Sequence, residues 1–429
     1  MLHTKINIPY GESFKCIRIP TGNLEWVVGP KNTPAVKNLK ESIITALKNP
    51  IGSPGLAELV HQHGKKTVVL VDDGTRATPQ HLILPLILDE LNEAGVNDQD
   101  ITVIIALGTH RPMDDTECIN RFGKDVWERV KIENLSKNGC DFEYLGTTPL
   151  GVPIHIYRPY LESDLSIALG NIIPHMYAGW AGGAKMIQPG ISSPETTAVT
   201  HLMAGPKVYQ VLGDVDNPVR REMEDIAVKT GLKFIVNVIL NKDNRVVDVV
   251  AGDPILAHRK GVEIARPIYT VDINQKPDIV VAGAHPADRD LWQGFKAINN
   301  CGMLVKDGGT LILFVSAPEG IAPDHPELID LGEIGGEEVL KMVQRDEIKD
   351  KVAAATYLAL DKTRSRIHIE LVSNGISHKE SGRIGLDAHI DFESALKKAI
   401  HRHGEKAKIG IVTHGADIMM NNDKEAIYE

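Results

Sequence analysis

The chain has 429 residues, 42% of them hydrophobic, which is enough to build the cores of two or three domains of roughly 150 residues each. Its 47 Lys and Arg stand against 57 Asp and Glu, a formal net charge of −10, so the positive field that holds nucleic acids is missing. No window approaches the roughly 18 apolar residues of a membrane span and no signal-peptide pattern begins the chain, so we expect neither a nucleic acid nor a membrane as partner.

Short apolar runs bounded by Gly, Asp or Pro alternate with amphipathic stretches of helical length along the chain. The runs predict strands at residues 67–71, 101–107, 165–169, 278–282, 310–315 and 408–413. After the first run, residues 79–94 predict a helix with Pro79 at its first position and Gly95 beyond its end. Strands that alternate with helices indicate an α/β fold, in which largely parallel sheets are flanked by helices.

A charged and polar stretch around residues 271–276 divides this pattern, because a new strand and loop begin after it. We place a domain boundary near residue 272, so that residues 1–272 and 273–429 form two α/β domains. The last strand-like segment, about residues 408–429, has two possible places, since it either finishes the second domain or returns to the first.

The cysteines are isolated in the sequence and show no CxxC spacing: Cys16, Cys118, Cys140 and Cys301. They indicate neither a disulfide framework nor a thiolate zinc site. A cytoplasmic location, where thiols stay reduced, fits this cysteine usage best.

Three predicted strands of the first domain end in loops that carry charged or imidazole side chains: Asp72, Asp73, Arg76, His110, His175 and Lys185. In α/β proteins, ligands bind where the carboxyl ends of strands meet the N-termini of helices. We therefore expect these side chains to lie together at one edge of the sheet.

A glycine-rich loop at residues 179–186, GWAGGAKM, superficially resembles a P-loop. Ala184 replaces its second glycine and Met186 replaces the hydroxyl residue that would hold magnesium, so a nucleoside triphosphatase is rejected. No GxGxxG follows any predicted strand either, which removes a dinucleotide-binding fingerprint. The loop either brings its backbone close to a phosphate or a flat ring, with Lys185 beside it, or is a tight turn with a surface lysine.

Three histidines are candidates for chemistry. His110 and His175 follow strand ends, and two such imidazoles serve as base and acid in turn near neutral pH, unless backbone carbonyls simply satisfy them. His201 lies about two turns into a helix that Ser193 caps and Pro194 begins. Its imidazole either points back toward Lys185 or is a structural hydrogen-bonding group.

A second cluster of polar residues follows the strand at 278–282. A helix that begins near Pro286 would place four side chains on one face: Arg289, Trp292, Gln293 and Lys296. Together with the planar fork of Arg76, Gln293 and Lys296 suggest a small organic acid held in the cleft between the two domains. A solvated helix face is the alternative.

These motifs together resemble the nickel-dependent lactate racemase family. In order, the resemblance rests on DGTRATP (73–79), GTHR (108–111), Pro174 and His175, Gly182, Gly183 and Lys185, Pro189 and Gly190, His201, and WQGFK (292–296). Each motif is weak alone, whereas the ordered set is highly specific.

The resemblance implies a nickel pincer nucleotide, pyridinium-3-thioamide-5-thiocarboxylic acid mononucleotide with Ni²⁺, bound by the first domain and supplied by cofactor-biosynthesis enzymes. Lys185 would form its covalent link and His201 would coordinate the nickel. His110 and His175 match the paired acid/base histidines of the family. The family's groups around substrate and cofactor match Arg76, Gln293 and Lys296, and the remaining residues expected at the nucleotide are Asp72, Asp73, Thr75, Gly182, Gly183 and Trp292.

The activity that this resemblance implies is racemisation or epimerisation of a 2-hydroxy acid, lactate or a larger one. Hydride would leave C2 while a histidine takes the hydroxyl proton, and its return to the other face would invert the stereocentre. The tryptophans are Trp26, Trp127, Trp180 and Trp292, so the C-terminal tryptophan that lines the lactate pocket of typical members is missing, which favours a larger substrate.

Two other functions stay open on the sequence alone. A metal hydrolase would use His110, His175 and His201 as three imidazole ligands with an open position for water, although it leaves Lys185 without a role. A non-catalytic protein that binds the nickel cofactor is the other alternative.

Overall fold

The computed structural model describes residues 2–135, 141–205 and 208–421. The strands are β1 (His3–Tyr10), β2 (Ser13–Pro20), β3 (Leu24–Val28), β4 (Thr67–Val71), β5 (Ile101–Ile105), β6 (Lys131–Asn134), β7 (Phe142–Thr147), β8 (Pro153–Tyr157), β9 (Leu165–Asn171), β10 (Pro174–His175), β11 (Gly179–Trp180), β12 (Phe234–Leu240), β13 (Val246–Gly252), β14 (Thr270–Val271), β15 (Ile279–Gly283), β16 (Thr310–Phe314), β17 (His368–Val372), β18 (Asp387–His389), β19 (Ile409–Val412) and β20 (Met419–Met420).

The helices are α1 (Leu39–Lys48), α2 (Leu56–His63), α3 (Gln80–Glu93), α4 (Asp115–Phe122), α5 (Lys124–Arg129), α6 (Arg158–Leu161), α7 (Pro194–Ala204), α8 (Val208–Val211), α9 (Pro218–Lys229), α10 (Leu256–Tyr269), α11 (Leu291–Gly302), α12 (Glu327–Ile334), α13 (Gly336–Gln344), α14 (Lys351–Arg364), α15 (His378–Arg383) and α16 (Phe392–His403). Within the described ranges, no helix combines the length and the hydrophobicity needed to cross a membrane.

The first six-stranded sheet has the order β13-β12-β9-β4-β5-β6. All its neighbours are parallel except β13, which pairs antiparallel with β12. Every residue of the central strands β4 and β9 is buried, as expected for parallel strands with helices on both faces. The carboxyl ends of β4, β5 and β9 therefore meet at one edge, which confirms the α/β prediction for this part of the chain.

The second six-stranded sheet has the order β18-β17-β16-β15-β19-β3 and is parallel throughout. Its strand β19 lies between β15 and β3, so the last predicted strand finishes the second sheet, which was one of the two places left open. Residues 422–429 of that segment lie outside the described residues.

The N-terminal residues also lie with the second sheet. Strand β3 is its edge strand, and the β1–β2 hairpin packs Ile8, Ile17 and Ile19 against the buried side chains of β15. The chain thus begins in the second unit before it builds the first. The domain boundary near residue 272 stays a prediction. The topology adds that residues 3–28, although they precede this boundary, pack with the second sheet.

The two units share one apolar core beside the site. Ile172 and Trp180 from the first unit lie in the same buried cluster as Leu291, Phe295 and Ile298 of α11. Because this interface is continuous and apolar, residues from the two sheets are held in a fixed relation to each other.

Two predicted helix starts were wrong. Pro79 is the residue before α3 and not its first residue. Helix α11 begins at Leu291 and not near Pro286, because the Asp290 side chain accepts a hydrogen bond from the Gln293 backbone N–H (2.7 Å) and caps the helix there. Of the cysteines, Cys16, Cys118 and Cys301 are free thiols, and Cys140 lies outside the described residues.

Candidate active site

A cavity of about 870 Å³, counted to its open mouth, lies where the carboxyl edge of the first sheet faces α11. The expected site residues that line it are Asp72, Asp73, Arg76, His110, His175, Gly182, Lys185, His201, Trp292, Gln293 and Lys296. Thr75 lines an adjoining cavity, and Gly183 follows Gly182 in the glycine-rich loop. The structure therefore gathers nearly all of these residues around one space, which we call the main cavity.

Tight turns after β4 and β5 bring Asp73 and His110 together. Asp73 Oδ1 accepts hydrogen bonds from the backbone N–H (3.0 Å) and the hydroxyl (2.6 Å) of Thr75, which closes a turn just beyond β4. After β5, the backbone N–H of His110 donates to the carbonyl of Leu107 (3.0 Å). Both side chains therefore project from the sheet edge on short, hydrogen-bonded loops.

Four side chains from the two units form a continuous hydrogen-bonded chain. Asp73 Oδ2 lies 2.5 Å from His110 Nδ1, His110 Nε2 lies 3.0 Å from Gln293 Nε2, and Lys296 Nζ donates to Gln293 Oε1 (2.7 Å). Because an ammonium group can only donate, it fixes the Gln293 amide with its NH₂ toward His110. His110 therefore carries its proton on Nδ1, donated to Asp73, and a lone pair on Nε2.

Burial strongly affects the charge states of the titratable groups among these four hydrogen-bonded side chains. It lowers the pKa of His110 to about 4, against the attraction of Asp73, so the imidazole is neutral at pH 7. Burial alone would raise the pKa of Asp73, but His110, Arg76 and Thr75 hold it well below its usual range. Burial and the nearby Arg76 charge lower the pKa of Lys296 to about 7.

His175 presents the opposite tautomer. Its Nδ1 accepts a hydrogen bond from the backbone N–H of Tyr177 (3.2 Å), which leaves the ring proton on Nε2. Burial, then the positive charges of Lys185 and Lys296, holds the pKa of His175 well below its usual range. The main cavity thus contains one neutral imidazole with an Nε2 lone pair, His110, and one with an Nε2–H.

A buried arginine that the sequence did not single out secures the glycine-rich loop. Arg220 is 0% exposed, and its guanidinium donates to the carbonyls of Ala178 (3.3 Å), Gly182 (3.3 Å) and Trp180. Three carbonyls of one short loop therefore converge on a single side chain of α9.

Two more buried side chains complete this support. His258 Nε2 donates to the carbonyl of Ala181 (2.9 Å), and Asn237 Oδ1 accepts from the backbone N–H of Gly183 (2.9 Å). Gly182 has φ +79°, and a Cβ there would stand 2.7 Å from Asn237 Oδ1. The loop therefore requires a glycine at position 182, as its sequence suggested.

Lys185 projects from this loop into the main cavity. No other described residue forms a hydrogen bond or ion pair with its amine. Burial, then the charges of Arg76, Lys296 and Arg220, holds the pKa of Lys185 well below its usual range. Burial therefore favours the unprotonated, nucleophilic form of this amine, in contrast to a solvated surface lysine.

His201 lies on α7, which Ser193 caps by accepting from the Thr196 backbone N–H (3.2 Å). This confirms the predicted helix start at Pro194. The Nδ1 of His201 donates to the Thr197 carbonyl (2.9 Å), so Nε2 bears a lone pair. Burial and the Lys185 charge lower the pKa of His201 to about 3.

Arg76 and Asp72 differ in how far the protein already satisfies them. Arg76 donates through Nη1 to the Thr75 hydroxyl (2.7 Å), which leaves Nη2 without a partner among the described residues. Asp72 accepts hydrogen bonds from Thr78, from Gln80 Nε2 (2.8 Å) and from Arg121. Arg76 can therefore take an anion, whereas Asp72 supports the turn that carries the site.

Helix α11 supplies Trp292, Gln293 and Lys296 from its first turns. The Trp292 ring stacks on the His325 ring, with centroids 4.0 Å apart and an 18° angle between planes. Arg289 precedes the helix and forms an ion pair with Glu319 (3.3 Å). The expectation that Arg289 shares a helix face with the other three was therefore wrong, because the helix begins later. Among the described residues, no group of three or more His, Cys, Asp or Glu side chains is placed to share a metal ion.

Comparison with known proteins finds similarity over most of the chain. Residues 10–210 match a family model described as the lactate racemase N-terminal domain. The lactate racemase of Thermoanaerobacterium thermosaccharolyticum is 35% identical over 324 residues, which cover 73% of this chain and 75% of that protein. The lactate racemase of Lactiplantibacillus plantarum is 27% identical over 391 residues, or 89% of this chain and 91% of that protein.

Two solved structures share the architecture. The lactate racemase apoprotein from Thermoanaerobacterium thermosaccharolyticum superposes with a TM-score of 0.86 at 27% identity, covering 98% of this chain and 100% of that one. A Thermotoga maritima protein superposes with a TM-score of 0.69 at 22% identity, covering 89% of this chain and 98% of that one. The second likeness is one of fold alone.

Proposed function

The chain belongs to the lactate racemase family, and on that premise we propose that it inverts the C2 stereocentre of a 2-hydroxy acid by reversible hydride transfer with a nickel pincer nucleotide. It is an isomerase of the racemase type. The observation that carries the proposal is that His110 and His175, both neutral and in opposite tautomers, line the same cavity as the amine of Lys185.

The residues present fit the proposed cofactor. Lys185 offers an amine without a partner among the described residues, and burial lowers its pKa, which favours the unprotonated form that a covalent link to a thiocarboxylic acid group requires. His201 offers an Nε2 lone pair while its Nδ1–H is tied to a backbone carbonyl, the arrangement that metal-binding histidines usually adopt. Imidazole suits nickel, so we assign Lys185 as the attachment point and His201 as the nickel ligand. When bound, the nickel nucleotide supplies the acceptor for the hydride of C2.

The side chains of the chain itself would hold the substrate and move its proton. Arg76 and Lys296 bind the carboxylate at the wall of the main cavity, because Arg76 is a cation and a bound anion favours the protonated form of Lys296. His110 takes the hydroxyl proton on Nε2 as hydride leaves C2, once the substrate hydroxyl replaces the Gln293 amide as the hydrogen-bond partner of Nε2. Asp73 stabilises the imidazolium that results. The substrate is then a planar 2-keto acid, whose two faces are open to hydride return.

His175 completes the inversion from the other side. Its Nε2–H gives a proton to the carbonyl oxygen as hydride returns to C2, and proton exchange between the two imidazoles or with solvent resets the pair. For the other enantiomer the two histidines exchange roles, which requires that the Nε2 proton of His175 has first passed to His110 or to solvent. Because one histidine acts as base and the other as acid, racemisation needs no external acid or base.

A three-histidine hydrolase is disfavoured because, among the described residues, no three His, Cys, Asp or Glu side chains are placed to share a metal ion. A hydrolase would also leave the buried amine of Lys185 without a function.

We propose a small 2-hydroxy acid as substrate and separate biosynthetic enzymes as the source of the cofactor, in the cytoplasm. The test is intact-protein mass spectrometry of the chain made in cells that synthesise the cofactor. Wild type should carry an adduct of a few hundred daltons on Lys185 that Lys185→Arg lacks, and only the adduct-bearing protein should racemise 2-hydroxy acids. Racemisation by unmodified protein would contradict the proposal, and an adduct without racemisation of any 2-hydroxy acid would point to a cofactor-binding protein.

A further inference from the structure

A second cavity adjoins the main cavity and shares four wall residues with it: Arg76, Asn171, His175 and Lys296. Its other walls come from both units, including Tyr269 of α10 and Asp417 from the short helical turn after β19. The four shared residues therefore border both spaces. A substrate whose C2 lies beside His175 therefore has its remaining carbon chain next to the second cavity.

The polar groups around this second cavity fall into two classes. Tyr269 donates its hydroxyl to the Leu240 carbonyl (2.6 Å), and the Asn241 amide donates to the Thr33 carbonyl (2.8 Å), so both are already satisfied. Asn171 and Asp417 are not, because no described residue forms a hydrogen bond or ion pair with either side chain. Asn171 is only 4% exposed, so its amide has little contact with bulk water.

Asp417 is held in place although no described residue pairs with its carboxyl group. The turn Gly415–Asp417 is fixed to α11 by Asn300, whose side chain donates to the Ala416 carbonyl (3.0 Å). Burial raises the pKa of Asp417 to about 7, against the attraction of Lys296. Near neutral pH this carboxyl group therefore accepts a hydrogen bond from a ligand or donates one.

The chemistry of these walls selects a ligand. An apolar chain would bury Asn171 and Asp417 without hydrogen bonds, which is unfavourable. A second carboxylate would face the oxygen atoms of Asp417. A hydroxylated chain would donate to Asp417 and exchange hydrogen bonds with the Asn171 amide. We propose that the second cavity receives the hydroxyl-bearing carbon chain of the substrate, so that the preferred substrates are polyhydroxy acids; this rests on the function proposed above.

The test compares acids of equal carbon length by isothermal titration calorimetry on the chain without cofactor. The matched pairs are lactate with glycerate, and 2-hydroxybutyrate with threonate, in which only hydroxyl groups are added; malate tests a second carboxylate. We expect the hydroxylated member of the four-carbon pair to bind about tenfold more tightly. Equal affinity within both pairs, or tightest binding of malate, would overturn the proposal.

Three variants distinguish a specific effect of Asp417 on ligand binding from general effects of substitution. Asp417→Leu should abolish the advantage of threonate over 2-hydroxybutyrate, while Asp417→Asn should retain part of it. Asp243→Asn, which removes an exposed carboxylate near the second cavity, should behave as wild type. If Asp417→Leu does not fold, Asp417→Asn carries the test. Equal weakening of both acids by Asp417→Asn would also overturn the assignment.

Activity of the cofactor-loaded protein distinguishes the two proposals. If lactate is inverted at C2 at least as efficiently as glycerate and threonate, the proposed function stands and the preference for polyhydroxy acids is refuted. If no 2-hydroxy acid is inverted although threonate binds through Asp417, the cavity assignment stands and the proposed function is refuted.

Discussion

His110 and His175 carry the same side chain, yet their neighbours place the ring proton on different nitrogens. Asp73 draws the proton of His110 to Nδ1, whereas the backbone N–H of Tyr177 leaves the proton of His175 on Nε2. Burial keeps both imidazoles neutral at pH 7. The proposed roles of the two histidines therefore depend on their hydrogen-bond partners, since the residue type is the same.

Asp73→Asn tests this dependence directly. An asparagine amide can donate to His110 Nδ1, which would move the ring proton to Nε2 and remove the lone pair that takes the substrate proton. We expect kcat to fall about 10²- to 10⁴-fold in both directions with little change in KM. The measurement is racemisation by the cofactor-loaded variant, with the extent of loading checked by mass spectrometry. An unchanged kcat would remove Asp73 from the proton path.

Helix α11 and the glycine-rich loop are the two elements that fix the geometry of the site. The Asp290 cap sets where α11 begins, and so places Gln293 and Lys296 at the main cavity. Arg220 holds three carbonyls of the loop that carries Lys185. Each element therefore has one side chain whose loss should move the site.

Asp290→Ala removes the cap of α11 and should cost about 1 kcal/mol in the free energy of unfolding. Because the first turn carries Gln293 and Lys296, KM for the substrate should rise as well. Asp391→Ala is the matched control, since Asp391 caps α16 in the same way, accepting from the Ser394 backbone N–H (2.7 Å). Urea unfolding and steady-state kinetics should show the stability loss in both variants and the KM change only in Asp290→Ala. Equal KM in the two variants would contradict the role given to the cap.

Arg220→Met leaves three buried carbonyls without their donor and should lower the free energy of unfolding by about 3–5 kcal/mol. The fraction of protein with an adduct on Lys185 should fall, because the loop loses its fixed shape. Arg221→Met, at the neighbouring exposed position of α9, should change neither quantity. Intact-mass measurement and urea unfolding check both expectations, and full attachment in a folded Arg220→Met protein would show that the loop needs no such support.

The sequence predicted some of these elements better than others. Strands such as β4 and β9 were predictable because a strand buried on both faces is a continuous apolar run. The start of α11 was misplaced because Pro286 also has the character of a first helical residue, and only the fold shows that Asp290 provides the cap. Arg220 was missed because α9 reads as an ordinary charged helix, and no local pattern reveals which charge is buried.

At the scale of the whole molecule, the site exists only because the two units are held together. Asp73 and His110 come from the first unit and Gln293 and Lys296 from the second, and their hydrogen bonds cross between the sheets. The ordered motifs of the sequence indicated that residues of both units share one site. They did not indicate that β3 belongs to the second sheet, because strand pairing between distant segments leaves no local signal.

Stability should depend on pH through the histidines that the fold keeps neutral. The pKa of His110 is about 4 and that of His201 about 3, whereas in the unfolded chain histidine titrates near 6.5. Below about pH 6.5 the unfolded chain binds more protons, so the free energy of unfolding should fall as pH drops toward 4, by up to about 1.4 kcal/mol per pH unit for each group. Urea unfolding across this range should give a shallower slope for His201→Gln and an unchanged slope for His61→Gln, on the exposed surface of α2. An unchanged slope for His201→Gln would contradict a neutral, buried His201.

In the proposed mechanism, hydrogen leaves C2 as hydride and returns without mixing with solvent. The most direct measurement is racemisation of a single enantiomer by the cofactor-loaded protein in deuterium oxide, followed by NMR of the inverted product. We expect the product to retain protium at C2 through many turnovers, because the hydroxyl proton, and not the C2 hydrogen, passes through His110 and His175. Quantitative deuterium at C2 of the inverted product would show proton abstraction from carbon and would contradict the mechanism.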